Sequence, residues 1–205
     1  MVKVKICGNT NLDDVLVAVE AGADAVGFVF YAQSPRAIAP KTAALIIERL
    51  PPFAIPVGVF VDEELSVVRQ IMKDCGIPVA QLHGNESPRY CAELGRSAIK
   101  AIRVRDRRDL ERMASYQVGG FVLDAYVERV PGGTGIPMDW DLASEAQVLG
   151  PIILAGGLTP DNVVEAIRRV RPYGVDVSSG VELSPGKKDH VKVRAFIANA
   201  KSFVW

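Results

Sequence analysis

The sequence is poor in the residues from which metal sites and disulfide frameworks are built. Its 205 residues include only two histidines and three cysteines. The cysteines, Cys7, Cys75 and Cys91, are odd in number and form neither a CxxC pair nor a zinc-ligand spacing. We therefore expect a reduced, cytoplasmic protein that has no structural disulfide and binds no metal.

The sequence also lacks an excess of charge and long apolar runs. Lys and Arg together number 24, and Asp and Glu also number 24, which gives a formal net charge of zero. Nucleic acid would require a basic face, so it is not an expected partner. No apolar run reaches the roughly 18 residues of a transmembrane helix, and the N-terminus lacks the layout of a signal peptide. We expect no membrane association.

Linkers and low-complexity segments are absent too. Hydrophobic residues make up 49% of the chain, and a chain of this length and composition can bury a large core. We predict a single domain that spans residues 1–205.

What the sequence does contain is a regular alternation of two patterns. Short β-branched runs are each followed by a segment with helical periodicity, eight times in all. Nearly continuous apolar character is typical of parallel strands that are covered by helices. The predicted strands are Val2–Cys7, Ala25–Phe30, Ile55–Phe60, Pro78–Leu82, Ala98–Arg103, Gly119–Asp124, Pro151–Ala155 and Gly174–Val177.

Helix-start signals occur between these runs. Thr10, followed three residues later by Asp13, predicts a capped first helix, and Pro40 can begin the second. Ser87-Pro88 offers an N-cap and a first-turn proline for the fourth. Eight strand–helix units in one chain of this size predict a single-domain (β/α)8 TIM barrel of the α/β class.

The alternative fold is a doubly wound open sheet. That fold usually carries a glycine-rich dinucleotide or phosphate loop after its first strand. Here the first strand is followed by Cys7-Gly8-Asn9-Thr10, with no GxGxxG pattern and no Walker lysine. The glycine-rich loops come late in the chain, which favours the barrel.

Two loops near the end of the chain are candidates for binding phosphate. Gly156 and Gly157 follow the seventh strand, and Ser178, Ser179 and Gly180 follow the eighth. Glycine lets backbone N–H groups approach an anion closely, and the loops after the last two strands are the usual phosphate site of this barrel. The alternative is that these are ordinary turn residues.

A third glycine-rich loop, Gly132-Gly133-Thr134-Gly135, lies in a long segment after the sixth strand. We predict that it closes over the substrate and that Gly133 contributes to substrate binding. The same composition also suits a flexible connection.

Two strand ends carry groups that can move protons. Cys7 ends the first strand and Asp124 ends the sixth, at the barrel face where catalysis takes place. A thiolate can act as a base, and a partly desolvated carboxyl group suits a general acid. Taken alone, Cys7 could be a small buried hydrophobe and Asp124 a loop carboxylate bonded to backbone.

The period of two along the strands predicts a buried ion pair. Lys5 shares a face with Cys7 and should point into the barrel. Asp176, on the eighth strand, shares a face with Ser178, and strands one and eight are neighbours in a closed barrel. We predict a Lys5–Asp176 pair with a structural or positioning role, and we include Asp176 among the candidate substrate-binding residues.

Two further side chains are candidates for substrate binding. Arg36 lies in the second strand–helix loop, where its guanidinium could hold a carboxylate in a bidentate pair; it could equally be a solvated arginine. His83 ends the fourth strand and is either an active-site ligand or a satisfied strand-end histidine. A metal is not expected, because the only other histidine is His190 and the sequence contains no cluster of metal ligands.

These residues together resemble those of the phosphoribosylanthranilate isomerases of tryptophan biosynthesis. The resemblance runs through the whole chain in order, and its first and last motifs are the most specific. The matching segments are Lys5–Gly8, Gly27–Phe30, Ser34–Arg36, Gly58–Val61, Gln81–Gly84, Leu123–Asp124, Gly132–Gly135, Leu154–Leu158, Asn162–Val163, Gly174–Glu182 and Pro185–Asp189.

The resemblance implies an Amadori rearrangement of N-(5'-phosphoribosyl)anthranilate, with no cofactor and with a small-molecule phosphosugar as the substrate. It implies that Asp124 protonates the furanose ring oxygen, that Cys7 removes the C2' proton, and that Arg36 binds the anthranilate carboxylate. Both monomers and homodimers occur among barrels of this family, so we expect this chain to be one or the other, and the sequence does not decide which. One position departs from the family pattern, because Asn9 stands where an aliphatic residue is usual.

Other phosphosugar-binding barrels are the alternatives. The histidine-pathway aminoaldose isomerase would call for an aspartate at the end of the first strand, where this chain has Cys7. Metal-dependent ribulose-phosphate epimerases would need more histidine ligands. A non-catalytic barrel that only binds phosphosugars would not depend on Cys7 or Asp124.

Overall fold

A computed structural model describes residues 1–104, 106–125 and 140–203. Eight parallel strands form a closed barrel in which each strand pairs with its neighbours in chain order. The strands are β1 (Lys3–Ile6), β2 (Ala25–Val29), β3 (Ile55–Phe60), β4 (Val79–Leu82), β5 (Ala98–Val104), β6 (Gly120–Ala125), β7 (Ile152–Leu154) and β8 (Gly174–Val177).

Helices follow the strands and cover the outside of the barrel. They are α1 (Leu12–Glu20), α2 (Pro40–Ile47), α3 (Leu65–Cys75), α4 (Pro88–Ala92), α5 (Arg107–Met113), α6 (Trp140–Glu145), α7 (Val163–Val170) and α8 (His190–Ser202). The predicted (β/α)8 barrel is confirmed, and each predicted strand agrees with an observed one to within a residue at either end.

The helix starts agree with the sequence signals in most places. Pro40 begins α2, and the Ser87 side chain caps α4 by accepting a hydrogen bond from the Tyr90 N–H. The first helix is an exception, because Asn11 caps it by accepting a bond from Asp14. Thr10 instead donates its hydroxyl to the carbonyl of Gly186, at a distance of 2.5 Å. Its partner is distant in sequence, so no local pattern could indicate it.

The buried apolar side chains of the described residues form four clusters, two of which show how the barrel is packed. The larger lies between strands and helices and includes Ile6, Phe28 and Phe196, all fully buried. A smaller cluster includes Val57 of β3 and Val122 of β6, with other side chains that line the barrel interior. The barrel is therefore packed through its centre.

A short hairpin not predicted from the sequence follows β8. Its strands are β9 (Glu182–Ser184) and β10 (Lys187–Lys188), which pair antiparallel. The hairpin lies against the loop that follows β1, through the Thr10–Gly186 bond, and against the first turn of α1, where Lys188 N–H donates to the Asp14 carboxylate at 2.9 Å. No helix in the described part of the chain is long and apolar enough to cross a membrane.

Candidate active site

Cys7 stands at the carboxyl end of β1, beside a buried ion pair. Its N–H donates to the Val177 carbonyl at 2.8 Å, which extends the pairing of β1 with β8 by one residue. Two residues earlier on the same strand, Lys5 Nζ lies 2.8 Å from Asp176 Oδ2, and the two side chains are only 5% and 7% exposed. The predicted Lys5–Asp176 pair is confirmed.

The thiol of Cys7 and the end of the Lys5 aliphatic chain both pack against Gly27 of β2. A Cβ atom built on Gly27 would fall 2.7 Å from Cys7 Sγ and 3.1 Å from Lys5 Cε. Burial raises the pKa of the Cys7 thiol, and the positive charge of Lys5 is the largest influence that opposes this rise. The resting site therefore favours the thiol, with a cation in place to stabilise the thiolate.

Asp124 is buried at the end of β6 and has a histidine partner. His83 Nε2 lies 3.3 Å from Asp124 Oδ2, and His83 Nδ1 lies 3.0 Å from the side-chain nitrogen of Gln81. If the amide nitrogen donates to Nδ1, the imidazole proton sits on Nε2 and faces the carboxyl group. The structure thus brings together two of the predicted site residues, Asp124 and His83.

Arg36 is bound by a carboxylate that was not among the predicted site residues. Its Nε lies 2.9 and 3.1 Å from the two carboxylate oxygens of Glu182, and its Nη2 lies 2.6 Å from Oε2. The stem of Arg36 passes over Gly8, where a Cβ atom would fall 2.6 Å from Arg36 Cδ and 2.9 Å from Ser178 Oγ. Gly8 also has φ +74°, so two constraints require glycine at this position.

The two predicted phosphate loops pack against each other. A Cβ atom on Gly180 would fall 1.9 Å from the Leu158 carbonyl oxygen, so this approach is open only to glycine. Asn162 holds the other loop, because its side chain accepts from Thr159 N–H at 2.8 Å and donates to the Gly157 carbonyl at 2.9 Å. The loops that carry Gly156, Gly157, Ser178, Ser179 and Gly180 therefore form one continuous rim above β7 and β8.

Several buried polar atoms near the strand ends have no hydrogen-bond partner in the described part of the chain. They are Oδ1 of Asn9 and three atoms that lie on β4 and β8 or directly after β8, namely the side-chain oxygen of Gln81, Oδ1 of Asp176 and Oγ of Ser178. Buried polar groups are normally paired, so these three atoms are suited to bind the polar groups of a ligand. Asp176 can thus hold Lys5 with one oxygen and a ligand with the other.

Four residues that shape the site were not predicted from the sequence as site residues. Glu182 and Lys188 lie within segments that match the family, and this match could have identified them as site residues. Gln81 precedes His83 by two residues and so shares its strand face. Asn9, noted only as a departure, is fully buried and donates its amide to the carbonyls of Ile6 and Gly27, at 2.8 and 3.1 Å. It therefore ties the end of β1 to β2.

Gly133 and its loop lie outside the described residues. Within the described residues, no group of three or more His, Cys, Asp and Glu side chains could hold a metal ion. Cys75 and Cys91 are both free and buried, as expected for cysteines that pack as small apolar residues.

Comparison with known proteins gives consistent matches along the whole chain. The family model described as N-(5'-phosphoribosyl)anthranilate (PRA) isomerase matches residues 4–199. The N-(5'-phosphoribosyl)anthranilate isomerase of Pelobacter propionicus is 57% identical over 201 residues, which cover 98% of this chain and 96% of the relative.

Solved structures agree with the sequence matches. The crystal structure of the phosphoribosyl anthranilate isomerase of Thermotoga maritima superposes with a TM-score of 0.92 at 44% identity, covering 99% of this chain and 100% of the other. A further structure of such an isomerase, in complex with reduced 1-(o-carboxyphenylamino)-1-deoxyribulose 5-phosphate, superposes with a TM-score of 0.88 at 44% identity, with the same coverage.

Proposed function

This chain belongs to the N-(5'-phosphoribosyl)anthranilate isomerase family, and from that premise we propose that Cys7 is its general base and Asp124 its general acid. The enzyme isomerises N-(5'-phosphoribosyl)anthranilate to 1-(2-carboxyphenylamino)-1-deoxyribulose 5-phosphate in tryptophan biosynthesis. The observation that carries the assignment of roles is that both groups are buried at strand ends on the same face of the barrel.

The first step opens the furanose ring. Asp124 donates its proton to the ring oxygen while the bond between that oxygen and C1' breaks, and the anilino nitrogen takes up the positive charge as a protonated Schiff base. His83 orients the carboxyl group, because its Nε2 lies 3.3 Å from Asp124. A proton given to a developing alkoxide is the standard contribution of a general acid.

The second step moves the double bond. The Cys7 thiolate takes the proton from C2', and the electron pair of that C–H bond forms the C1'–C2' double bond of an enolamine. The nitrogen thereby becomes neutral, and the enolamine tautomerises to the ketone. The Lys5 ammonium supports this step because its charge opposes the effect of burial on the pKa of Cys7.

Binding of the substrate uses the remaining site residues. The rim of Gly156, Gly157, Ser178, Ser179 and Gly180 receives the phosphate, since two glycine-containing loops pack together there and glycine lets backbone N–H groups approach an anion closely. Asp176 Oδ1 and Ser178 Oγ, which are buried and unpaired in the described structure, accept or donate bonds to the ribose hydroxyls.

The remaining contacts lie at the other end of the substrate. Arg36 binds the anthranilate carboxylate, and Gly133, which lies outside the described residues, contributes to substrate binding in this proposal. The substrate is a small phosphosugar, and we place the enzyme in the cytoplasm.

Turnover of freshly generated N-(5'-phosphoribosyl)anthranilate tests these roles. Cys7→Ala and Asp124→Asn should each lower kcat by about 10²-fold or more, because each removes a proton-transfer group, while affinity for the reduced product analogue stays within a few-fold. Cys75→Ala and Cys91→Ala, which remove buried thiols elsewhere, should leave kcat unchanged. Near-normal turnover by Cys7→Ala would show that another group is the base.

A further inference from the structure

The guanidinium of Arg36 is held on one edge by a carboxylate that is itself almost fully buried. The Glu182 side chain is 4% exposed and that of Arg36 is 18% exposed. Both Nε and Nη2 of Arg36 donate to Glu182. A guanidinium has a second edge, formed by Nη1 and the other N–H of Nη2. In the part of the chain that the structure describes, Nη1 has no hydrogen-bond partner.

Glu182 is fixed from behind by a buried lysine. Lys188 Nζ lies 3.0 Å from Glu182 Oε1, and the lysine side chain is fully buried. The same ammonium donates to the carbonyl oxygen of Cys7, and Gly186 N–H donates to Glu182 Oε1 at 3.3 Å. Burial opposes ionisation of Glu182, but the bonds from Arg36 and Lys188 hold its pKa below the usual range. One chain of contacts therefore links the strand end that bears the base to Arg36.

This arrangement decides between two ways in which Arg36 could bind a second carboxylate. In the first, Glu182 is a placeholder that the ligand displaces. That exchange would leave Oε2 of Glu182 buried without the donors it has in Arg36, and a buried charged acceptor that loses its donors is strongly unfavourable. In the second, Glu182 stays, and the ligand binds the free edge of the guanidinium. The burial of Glu182 and its bond to Lys188 favour the second way.

We propose that Glu182, held by Lys188, is a positioning residue that orients Arg36 so that its free edge receives the carboxylate of the substrate. This inference rests on the proposed role of Arg36. Binding of the substrate carboxylate then depends on the β9–β10 hairpin. Because Lys188 contacts both Glu182 and the Cys7 carbonyl, the same hairpin sets the distance between the carboxylate-binding site and Cys7. Glu182 itself does not touch the substrate.

The test compares two ligands on three proteins. The ligands are the reduced product analogue and the same compound with a phenyl ring that lacks the carboxylate, and their affinities are measured by calorimetry. The wild type should prefer the carboxylate-bearing ligand. Glu182→Gln should lose roughly tenfold or more of that preference, as expected for a lost charge-assisted contact, while affinity for the carboxylate-free ligand is unchanged. Glu93→Gln, which removes an exposed pair with Arg69, should match the wild type.

The kinetic counterpart is a split between KM and kcat. In Glu182→Gln, KM for N-(5'-phosphoribosyl)anthranilate should rise roughly tenfold, whereas kcat should change by less than about threefold. Glu182→Asp keeps the charge but is shorter by one methylene, and it should give a smaller loss of the same preference. It serves as the second variant if Glu182→Gln does not fold.

Three results would overturn the inference. An unchanged preference in both variants would show that Glu182 does not orient Arg36. An equal loss of affinity for both ligands would indicate a general structural role. A gain of affinity for the carboxylate-bearing ligand would show that Glu182 is a displaced placeholder. If the wild type itself lacked isomerase turnover, the proposed function would fail instead, so the two failures can be told apart.

Discussion

At the scale of single residues, the ionisation of Cys7 depends on two neighbouring effects of opposite sign. Burial raises the pKa of the thiol, and the ammonium of Lys5 lowers it. Lys5 itself is buried, which disfavours its charge, yet its pKa is raised by Asp176 and by Cys7. Because only the thiolate can take a proton from carbon, Lys5 governs how much active base is present.

We expect Lys5→Met to raise the pKa of Cys7 further, because it removes the largest influence that lowers it. The measurement is the pH dependence of alkylation by iodoacetamide, in a background of Cys75→Ala and Cys91→Ala. Since only the thiolate reacts, the midpoint should move to higher pH, and the rate should fall at every pH below it.

Lys3→Met is the matched control for this charge. Lys3 lies on the same strand, but its side chain is exposed and pairs with Asp24. It should leave the alkylation profile of Cys7 unchanged. An unchanged midpoint in Lys5→Met, or a shift to lower pH, would contradict the role given to Lys5.

At the scale of elements, the loops after β7 and β8 act as one structure. Gly180 touches the backbone of Leu158 so closely that a methyl group cannot fit. Asn162 bonds to both sides of its own turn, at Thr159 and Gly157. The distance between the two loops is therefore set by backbone contact. Any change in that distance would alter the contacts of a phosphate bound between the loops.

We expect Gly180→Ala to raise the KM for the phosphorylated substrate by about 10- to 100-fold, which corresponds to the loss of one hydrogen bond to a charged group. The added methyl group would push Leu158 away and displace the N–H groups of the loop. Steady-state kinetics and the inhibition constant of inorganic phosphate measure the effect.

Gly95→Ala serves as a control for the substitution itself. Gly95 has φ +55°, and a Cβ atom there would meet nothing within 4 Å. It should cost about 1 kcal/mol of stability with KM unchanged. A folded Gly180→Ala enzyme with the KM of the wild type would rule out phosphate binding between these loops.

At the scale of the whole molecule, the barrel closes where the first and last strands meet. β1 and β8 pair over four residues on each strand, from Lys3 opposite Gly174 to Ile6 opposite Val177. The Lys5–Asp176 pair joins the two strands at this junction, which we call the seam, and both of its side chains are buried. Its loss should therefore affect the stability of the whole barrel as well as the chemistry of Cys7.

We expect Lys5→Met to lower the free energy of unfolding by about 3–5 kcal/mol, because it leaves the Asp176 carboxylate buried without a cation. The double variant Lys5→Met, Asp176→Leu should recover most of this loss, since apolar residues of similar volume often replace buried pairs without cost. Urea denaturation followed by circular dichroism measures both.

Arg69→Met provides the comparison with an exposed ion pair. Its partner is Glu93, and both side chains are about half exposed. Such pairs contribute less than about 1 kcal/mol. If Lys5→Met costs no more than Arg69→Met, the seam is not stabilised by its ion pair.

The sequence by itself determined the order of strands and helices, because strand formation follows from local apolar runs and helix starts from local caps. It also placed Cys7 and Asp124 at strand ends, and it predicted the Lys5–Asp176 pair. That pair could be predicted because the period of two places both side chains inside the barrel, and closure of the barrel makes β1 and β8 neighbours, with Lys5 beside Asp176.

Only the tertiary structure decided which distant groups complete the site. Glu182 lies 146 positions from Arg36, and Lys188 lies 181 positions from Cys7. Neither contact follows from a strand period or a helix cap. Both arise because the chain, after closing the barrel, turns back as a hairpin over the loop that follows β1. The side-chain partners were fixed by where that hairpin packs, and packing depends on the whole fold.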